Sequence, residues 1–282
     1  MHGETETARA KVNLWLNVVG RRADGYHLLH SLVAFADLGD TLEVSTAEGV
    51  ALAIEGLGAA ELPAGTDNLV LKAARLLARD TAVEAGAAFR LVKRIPVAAG
   101  LGGGSADAAA ALRALCRLWR LDLPAARLSM LAARLGADVP MCLDQRPSIA
   151  SGAGETLQPA PPLPSCGLLL VNPGVPLPTA EVFAARQGDF SPIRPLDQPW
   201  SDLAGLAAAL SARGNDLTEA AVSRQPVVGK VLAGLRRTAG VRYAAMSGSG
   251  ATCFALYDTV ADARRAATGV PESWWHHAGR LT

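Results

Sequence analysis

Residues 99–107 read AGLGGGSAD, Ala99 to Asp107, with four glycines in five positions (Gly100, Gly102, Gly103, Gly104) followed by Ser105. The chain before this stretch, AFRLVKRIPV, has the residue types of a strand and is ended by Pro96. The chain after it, SADAAAALRALCRLWRL, has the periodicity of a helix opening at Ser105. A glycine-rich turn from strand to helix can aim several backbone N–H groups and the positive end of the helix at one anion. Glycine suits such a turn because it tolerates left-handed backbone and presents no Cβ to an approaching ligand. In regular structure each glycine would cost about 1 kcal/mol relative to alanine. In so alanine-rich a chain, this cluster reads as a phosphate cradle rather than a plain turn.

Three common cradles are excluded by spacing. A Walker A loop needs Lys and then Ser or Thr after its last glycine, and Gly104 is followed by Ser105 and Ala106. A dinucleotide fingerprint needs a third glycine where Ser105 stands. The protein-kinase set fails because neither H-R-D nor D-F-G occurs.

Working outward, ARAKVNLWLNVV (residues 9–19 and Ala8) alternates with period two. Ala10, Val12, Leu14, Leu16 and Val18 share one face; Arg9, Lys11, Asn13, Trp15 and Asn17 share the other, which predicts a half-buried strand with a polar face. DTLEVSTAEGVALAIEG reads as a hairpin of two strands turning near Glu48 and Gly49. A helix follows TDNLV, with Thr66 or Asp67 able to cap it, and capping is as good a reading of Asn68. PAARLSMLAARLG is a further helix stopped at Gly136. In GADVP, Pro140 biases Val139 toward extended backbone, which predicts a stiff turn presenting Asp138. The proline-rich LQPAPPLPSCG marks a boundary; beyond it come a buried strand LLLV, helices, and the hairpin-like YAAMSGSGATCFALY. The fold class is α+β in two domains, 1–158 and 167–282, with a linker at 159–166.

The 282 residues carry a net charge of +1, and half are apolar. No basic or acidic run suggests nucleic acid or a membrane surface as partner. No apolar run nears the ~18 residues of a membrane span, and the first residues lack the apolar core of a signal peptide. The four cysteines, Cys116, Cys142, Cys166 and Cys253, form no C-x-x-C pair and read as reduced thiols of a cytoplasmic protein.

PVAAGLGGGSADAAAAL, Pro96 to Leu112, resembles the phosphate loop of the GHMP small-molecule kinases. In order along the chain, AKVNLWLNVVGRRADGYHLLHSL, TDNLVLKAA, LGADVPMCL, GAGE, NPGVPLPTAEVF and SGSGATCFALY are similar to the branch whose acceptor is a cytidine-tagged polyol. The resemblance implies a two-domain GHMP-kinase-like fold with the active site in the interdomain cleft. It implies transfer of the γ-phosphate of ATP, with Mg²⁺ expected, to a hydroxyl of a methylerythritol moiety in non-mevalonate isoprenoid synthesis. Pro96, Ala98, Ala99 and the run Gly100, Leu101, Gly102, Gly103, Gly104, Ser105 and Ala106 would bind ATP, with Asn68 at the adenine. Lys11 and Asp138 would be catalytic, Asp138 orienting the acceptor hydroxyl and taking its proton late. Tyr26 and Phe183 would sandwich the cytosine and His27 read its edge, while Asn13 and Thr179 would lie near the rest of the small-molecule cytidyl substrate. Two departures stand out: Ala106 occupies the position of a second hydroxyl, and no arginine precedes GAGE.

Two alternatives remain open from the residues. A homoserine or mevalonate-type kinase would need no base-reading aromatics, against which GRRADGYHLL argues. A non-enzymatic ligand sensor would need neither Lys11 nor Asp138.

Overall fold

The computed structural model describes residues 3–196 and 200–282. Two compact units form, neither continuous in sequence: one comprises the chain through Ala10, Leu38–Val97 and Gly102–Gln145, the other Lys11–Asp37, Ala98–Leu101 and Arg146–Thr282. This partition differs from a sequential cut at 159–166, because strands β1 (Gly3–Arg21) and β2 (His27–Ala47) each supply residues to both units.

In the first unit the elements after β2 are β3 (Val50–Gly56), α1 (Leu69–Thr81), β4 (Gly86–Lys93), α2 (Gly103–Leu118), α3 (Ala125–Leu135) and α4 (Val139–Asp144). The expected hairpin of β2 with β3 does not form. Strand β4 inserts between them, antiparallel to β2 (Thr41 opposite Val92) and parallel to β3 (Val50 opposite Ala87). Gly86 makes the insertion possible: a Cβ there would lie 2.5 Å from the carbonyl oxygens of Ala47 and Gly49.

Helix α1 is capped by Asn68, whose side chain accepts from Val70 N at 2.9 Å, so neither Thr66 nor Asp67 is the cap. Helix α2 opens at Gly103, two residues earlier than expected, after left-handed Gly102 (φ +65°). Its alanines from Ala106 to Ala111 are buried, so small side chains let it pack closely on α1 and α4. Helix α3 ends before Gly136 as expected. The segment at Asp138 is not an extended turn. Asp138 is itself helical in backbone (φ −85°, ψ −11°) and begins α4, where Pro140 falls in the first turn and needs no N–H partner.

In the second unit, Leu29–Val33 of β2 pair with β5 (Ser148–Gly152), which pairs with β6 (Thr156–Pro159). Strand β7 (Gly167–Asn172), the LLLV segment, is buried along its whole length. Helices α5 (Thr179–Ala185), α6 (Leu203–Ser211), α7 (Thr218–Arg224) and α8 (Pro226–Arg236) follow, then β8 (Val241–Met246), β9 (Cys253–Tyr257), α9 (Val260–Ala267) and β10 (Trp275–Arg280). The sheet order is β10-β7-β9-β8, all antiparallel, and YAAMSGSGATCFALY forms the expected β8–β9 hairpin. Its core joins Leu16 and Val18 of β1 to Leu169, Val171, Val231 and Tyr257.

The polar face of β1 is not solvated. Lys11 is 6% exposed and Asn13 5%. Trp15 is fully buried, with the His30 ring 5.9 Å away and the Arg213 guanidinium 4.8 Å from its ring centre. Cys142, Cys166 and Cys253 are buried, and none of the four cysteines forms a disulfide among the described residues. Among the described residues no helix is long and apolar enough to cross a membrane.

Candidate active site

The second unit gathers Lys11, Asn13, the first half of the glycine loop and the β8–β9 turn. Lys11 Nζ donates to Asn13 Oδ1 at 2.6 Å, and Asn13 Nδ2 donates to Ser31 Oγ at 2.8 Å. Ser31 in turn donates to the Trp15 carbonyl at 2.6 Å. This chain fixes the Asn13 amide with its oxygen toward the lysine. Buried polar groups paired in this way are rigid, because any other arrangement strands a donor or acceptor without water.

The glycine loop and the β8–β9 turn hold each other by backbone. Lys11 N donates to Leu101 O at 3.0 Å, and Thr252 N to Ala99 O at 3.2 Å. Ser247 Oγ donates to Gly100 O at 3.2 Å, and Asn13 N to Ser247 Oγ at 3.1 Å. Gly100 has φ +76°, and a Cβ on it would lie 2.5 Å from Gly250 O and 2.8 Å from Ser247 O. Only glycine fits this crossing. A Cβ built on Gly248 would stand 3.3 Å from Asn13 Oδ1 and 3.6 Å from Lys11 Nζ, so the bare backbone of this turn flanks the lysine directly. Asn215 steadies the turn by donating to the carbonyls of Met246 and Gly248, both at 2.8 Å. Asn215 lies outside every stretch quoted above, while Ser31 and Ser247 lie within two of them without a role of their own being legible there.

Thr179 opens α5 and shares a 2.9 Å hydrogen bond with Ser249 of the same turn. Phe183, one helical turn on, stacks with His27 at 5.0 Å between ring centres and 25° between planes. Asp24 and Gly25 form a turn: Gly25 N bonds Arg22 O, Tyr26 N bonds Asp24 Oδ1, and Gly25 has φ +91°. Tyr26, at its tip, is 65% exposed. Phe183 thus faces His27 rather than Tyr26. Burial holds the His27 imidazole below its ordinary pKa, and the charges of Arg21 and Arg186 lower it further. At neutral pH the ring is uncharged, with one donor and one acceptor nitrogen.

The first unit holds Asn68, Pro96, the second half of the loop and Asp138. A Cβ on Gly104 would make ordinary contact (3.7 Å) with Leu69 at the start of α1, so the α1 cap and the α2 opening lie side by side. Ser105 and Ala106 sit in the first turn of α2, the serine half-buried and the alanine buried. The Asp138 carboxylate does not cap α4.

The first unit thus holds a glycine turn at the start of α2, and the second a buried lysine held by the Asn13 amide. Residues 68–149 match the GHMP kinases N terminal domain and 197–275 the GHMP kinases C terminal domain. The chain belongs to the GHMP kinase family, and it is a two-domain small-molecule kinase.

Among its relatives, the 4-diphosphocytidyl-2-C-methyl-D-erythritol kinase of Paramagnetospirillum magneticum is 57% identical over 95% of both chains. That of Rhodospirillum rubrum is 51% identical over 98% of this chain and 92% of its own. A solved structure of 4-(cytidine 5'-diphospho)-2C-methyl-D-erythritol kinase superposes with a TM-score of 0.83 at 37% identity, covering 99% of each chain.

Proposed function

We propose that this kinase phosphorylates a hydroxyl of 4-diphosphocytidyl-2-C-methyl-D-erythritol with ATP, giving the 2-phosphate, a step of non-mevalonate isoprenoid precursor synthesis. The observation that carries the acceptor is the shared name of relatives 57% and 51% identical over nearly the whole chain. The residues agree with it in chemistry. A cytosine ring needs an aromatic face and a neutral edge reader; Tyr26 is an exposed aromatic, and His27 is an uncharged imidazole braced on Phe183.

On this reading the glycine loop, from Pro96 through Ala106, cradles the ATP phosphates, with Asn68 at the base. Lys11, oriented by Asn13, neutralises the phosphoryl group as it moves. Asp138 aims the acceptor hydroxyl and accepts its proton late, as the new P–O bond forms and the bond to the β-phosphate breaks. Such a reaction asks the protein for positioning and charge rather than covalent work. Asn13 and Thr179 contact the remainder of the acceptor.

Mg²⁺ accompanies ATP phosphates and supplies further neutralisation of their charge. Among the described residues no three His, Cys, Asp or Glu side chains are grouped to hold a resident metal. An ion arriving with phosphate oxygens and waters needs few protein ligands, and the Ser105 hydroxyl in the first turn of α2 is the residue suited to that part.

The test is ADP release measured with the cytidyl acceptor, homoserine and mevalonate side by side. Turnover with the cytidyl compound alone is expected. Turnover only with homoserine or mevalonate overturns the acceptor assignment, and nucleotide binding without turnover of any of them points to a sensor.

A further inference from the structure

Directly behind the glycine loop lies a buried ionic cluster that the proposed reaction does not use. Lys93, the last residue of β4, is 4% exposed; Asp40 of β2 is fully buried and Asp107 of α2 is 4% exposed. Lys93 Nζ donates to Asp107 Oδ2 at 2.6 Å and also bonds Asp40 Oδ2. Asp40 Oδ1 accepts from the backbone N–H groups of Arg94 (2.5 Å) and Ile95 (2.9 Å). The ammonium therefore ties together the end of β4, the body of β2 and the second turn of α2. A Cβ built on Gly103 would lie 3.4 Å from Lys93 Nζ and 3.3 Å from Ile95 Cγ2. The first helical residue of the cradle thus rests on this lysine and on the residue two places beyond it.

A cluster of this kind is a poor source of stability. Desolvating the ions offsets most of their attraction, and apolar replacements of similar volume are often neutral or better. It also carries two carboxylates for one cation. Asp40 is satisfied by Lys93 and two amides, whereas Asp107 Oδ1 is buried with no hydrogen-bond partner. A feature that contributes little stability yet joins three elements is suited to fixing register. The element it registers here is the start of α2.

We propose that Lys93, clamped by Asp40 and Asp107, is a positioning residue for the nucleotide, holding the first turns of α2 so that the amides of Gly102 to Ser105 keep the geometry that ATP phosphates require. The inference rests on the reading of that loop as the phosphate cradle.

Lys93→Met would leave two buried carboxylates without a cation and is a poor test, since such a protein need not fold. Asp107→Ala leaves a one-to-one Lys93–Asp40 pair and releases only α2. Its KM for ATP is expected to rise about fivefold or more with a lower kcat, the acceptor KM staying within about twofold. The thermal midpoint should stay within about 3 °C of the parent, because the surplus buried carboxylate is gone. Asp107→Asn still accepts from Lys93 and should return the ATP KM to within about twofold of the parent. The positioning role is overturned if Asp107→Ala keeps the parent ATP KM, if both KM values and the midpoint move together, or if Asn fails to rescue. Hydrogen exchange of the parent protein with and without a non-hydrolysable ATP analogue separates this failure from that of the cradle reading. Protection of the amides at 102–107 supports the cradle, and its absence sinks cradle and positioning role together.

Discussion

Gly100→Ala isolates what the crossing of the glycine loop and the β8–β9 turn requires. Two costs add. An alanine at φ +76° sits in left-handed backbone, costing about 1–2 kcal/mol. Its Cβ would also lie 2.5 Å from Gly250 O, where ordinary contact begins near 3.4 Å, so one backbone must retreat by 0.9 Å. Both atoms in the way belong to main chain, and Ser247 O already accepts from Gly250 N, so no side-chain rotation relieves the overlap. Overpacking of this kind costs about 1–3 kcal/mol, giving a total of about 2–5 kcal/mol. Gly240→Ala is the matched control: φ is +78° and nothing lies within 4 Å of its Cβ, so only the dihedral cost applies. Unfolding in urea should place Gly100→Ala below Gly240→Ala by about 1–3 kcal/mol. A displacement near 1 Å beside Lys11 should also lower kcat/KM by about 10²-fold, while Gly240→Ala keeps the parent value. Equal stability and equal turnover for the two variants would refute the close-packed crossing.

Lys11→Ala and Asp138→Asn should each lower kcat by about 10²-fold or more while leaving the folded state intact by circular dichroism; near-parent turnover in either removes that residue from the mechanism. The lowered pKa of His27 gives a pH signature of defined sign. The neutral ring is present above its unfolded value of 6.5 and is lost as pH falls through the lower folded value. The acceptor KM should therefore rise as the solution is made acid, and the ATP KM should not follow; His27→Gln should flatten the profile, and a parallel rise for ATP would count against the assignment. Asn68→Ala removes the α1 cap and the bond to Pro63 O, and should cost about 1 kcal/mol in urea unfolding. Asn68→Ser keeps a cap, so it should regain stability while the ATP KM stays raised; full recovery of both would leave Asn68 a cap alone.

The glycine loop was legible because its demands are local. Left-handed backbone and close approach each call for glycine, and the residue types record both. The β8–β9 hairpin and α3 were legible for the same reason. The pairing of β3 was not: its partner β4 begins 36 residues after β3 does, and the two-residue gap between β2 and β3 mimics a hairpin. Only Gly86 betrays the insertion, and a lone glycine says nothing of what it must admit. At Asp138, the bias of Pro140 on its predecessor yielded to a helix start that tolerates proline in its first turn. On β1, period two was right, but the strand is not half-buried: its polar face is covered as well. Trp15 among Lys11, Asn13 and Asn17 was the available clue, since a large aromatic on a polar face argues that something covers it.

The ionic cluster could not be read at all, because Asp40 lies 53 residues from Lys93 and Asp107 lies 14 from it, and each residue is ordinary alone. Its charge nonetheless bears on the cradle. Burial pushes the Asp107 carboxyl up to about 7; Lys93 opposes the shift and Asp40 adds to it. With both carboxylates ionised the cluster would hold one net negative charge behind a loop read as binding phosphates. Asp40 Oδ1 is bonded by two amides, whereas the second oxygen of Asp107 has no hydrogen-bond partner. Protonation of Asp107 removes that surplus charge and leaves a one-to-one Lys93–Asp40 pair behind the loop. In that state Lys93 has no net charge left to offer the nucleotide. On the proposed reading, attraction comes from the loop amides, the start of α2 and Lys11, while Lys93 contributes position; Asp107→Asn should then serve the enzyme and Asp107→Ala should not.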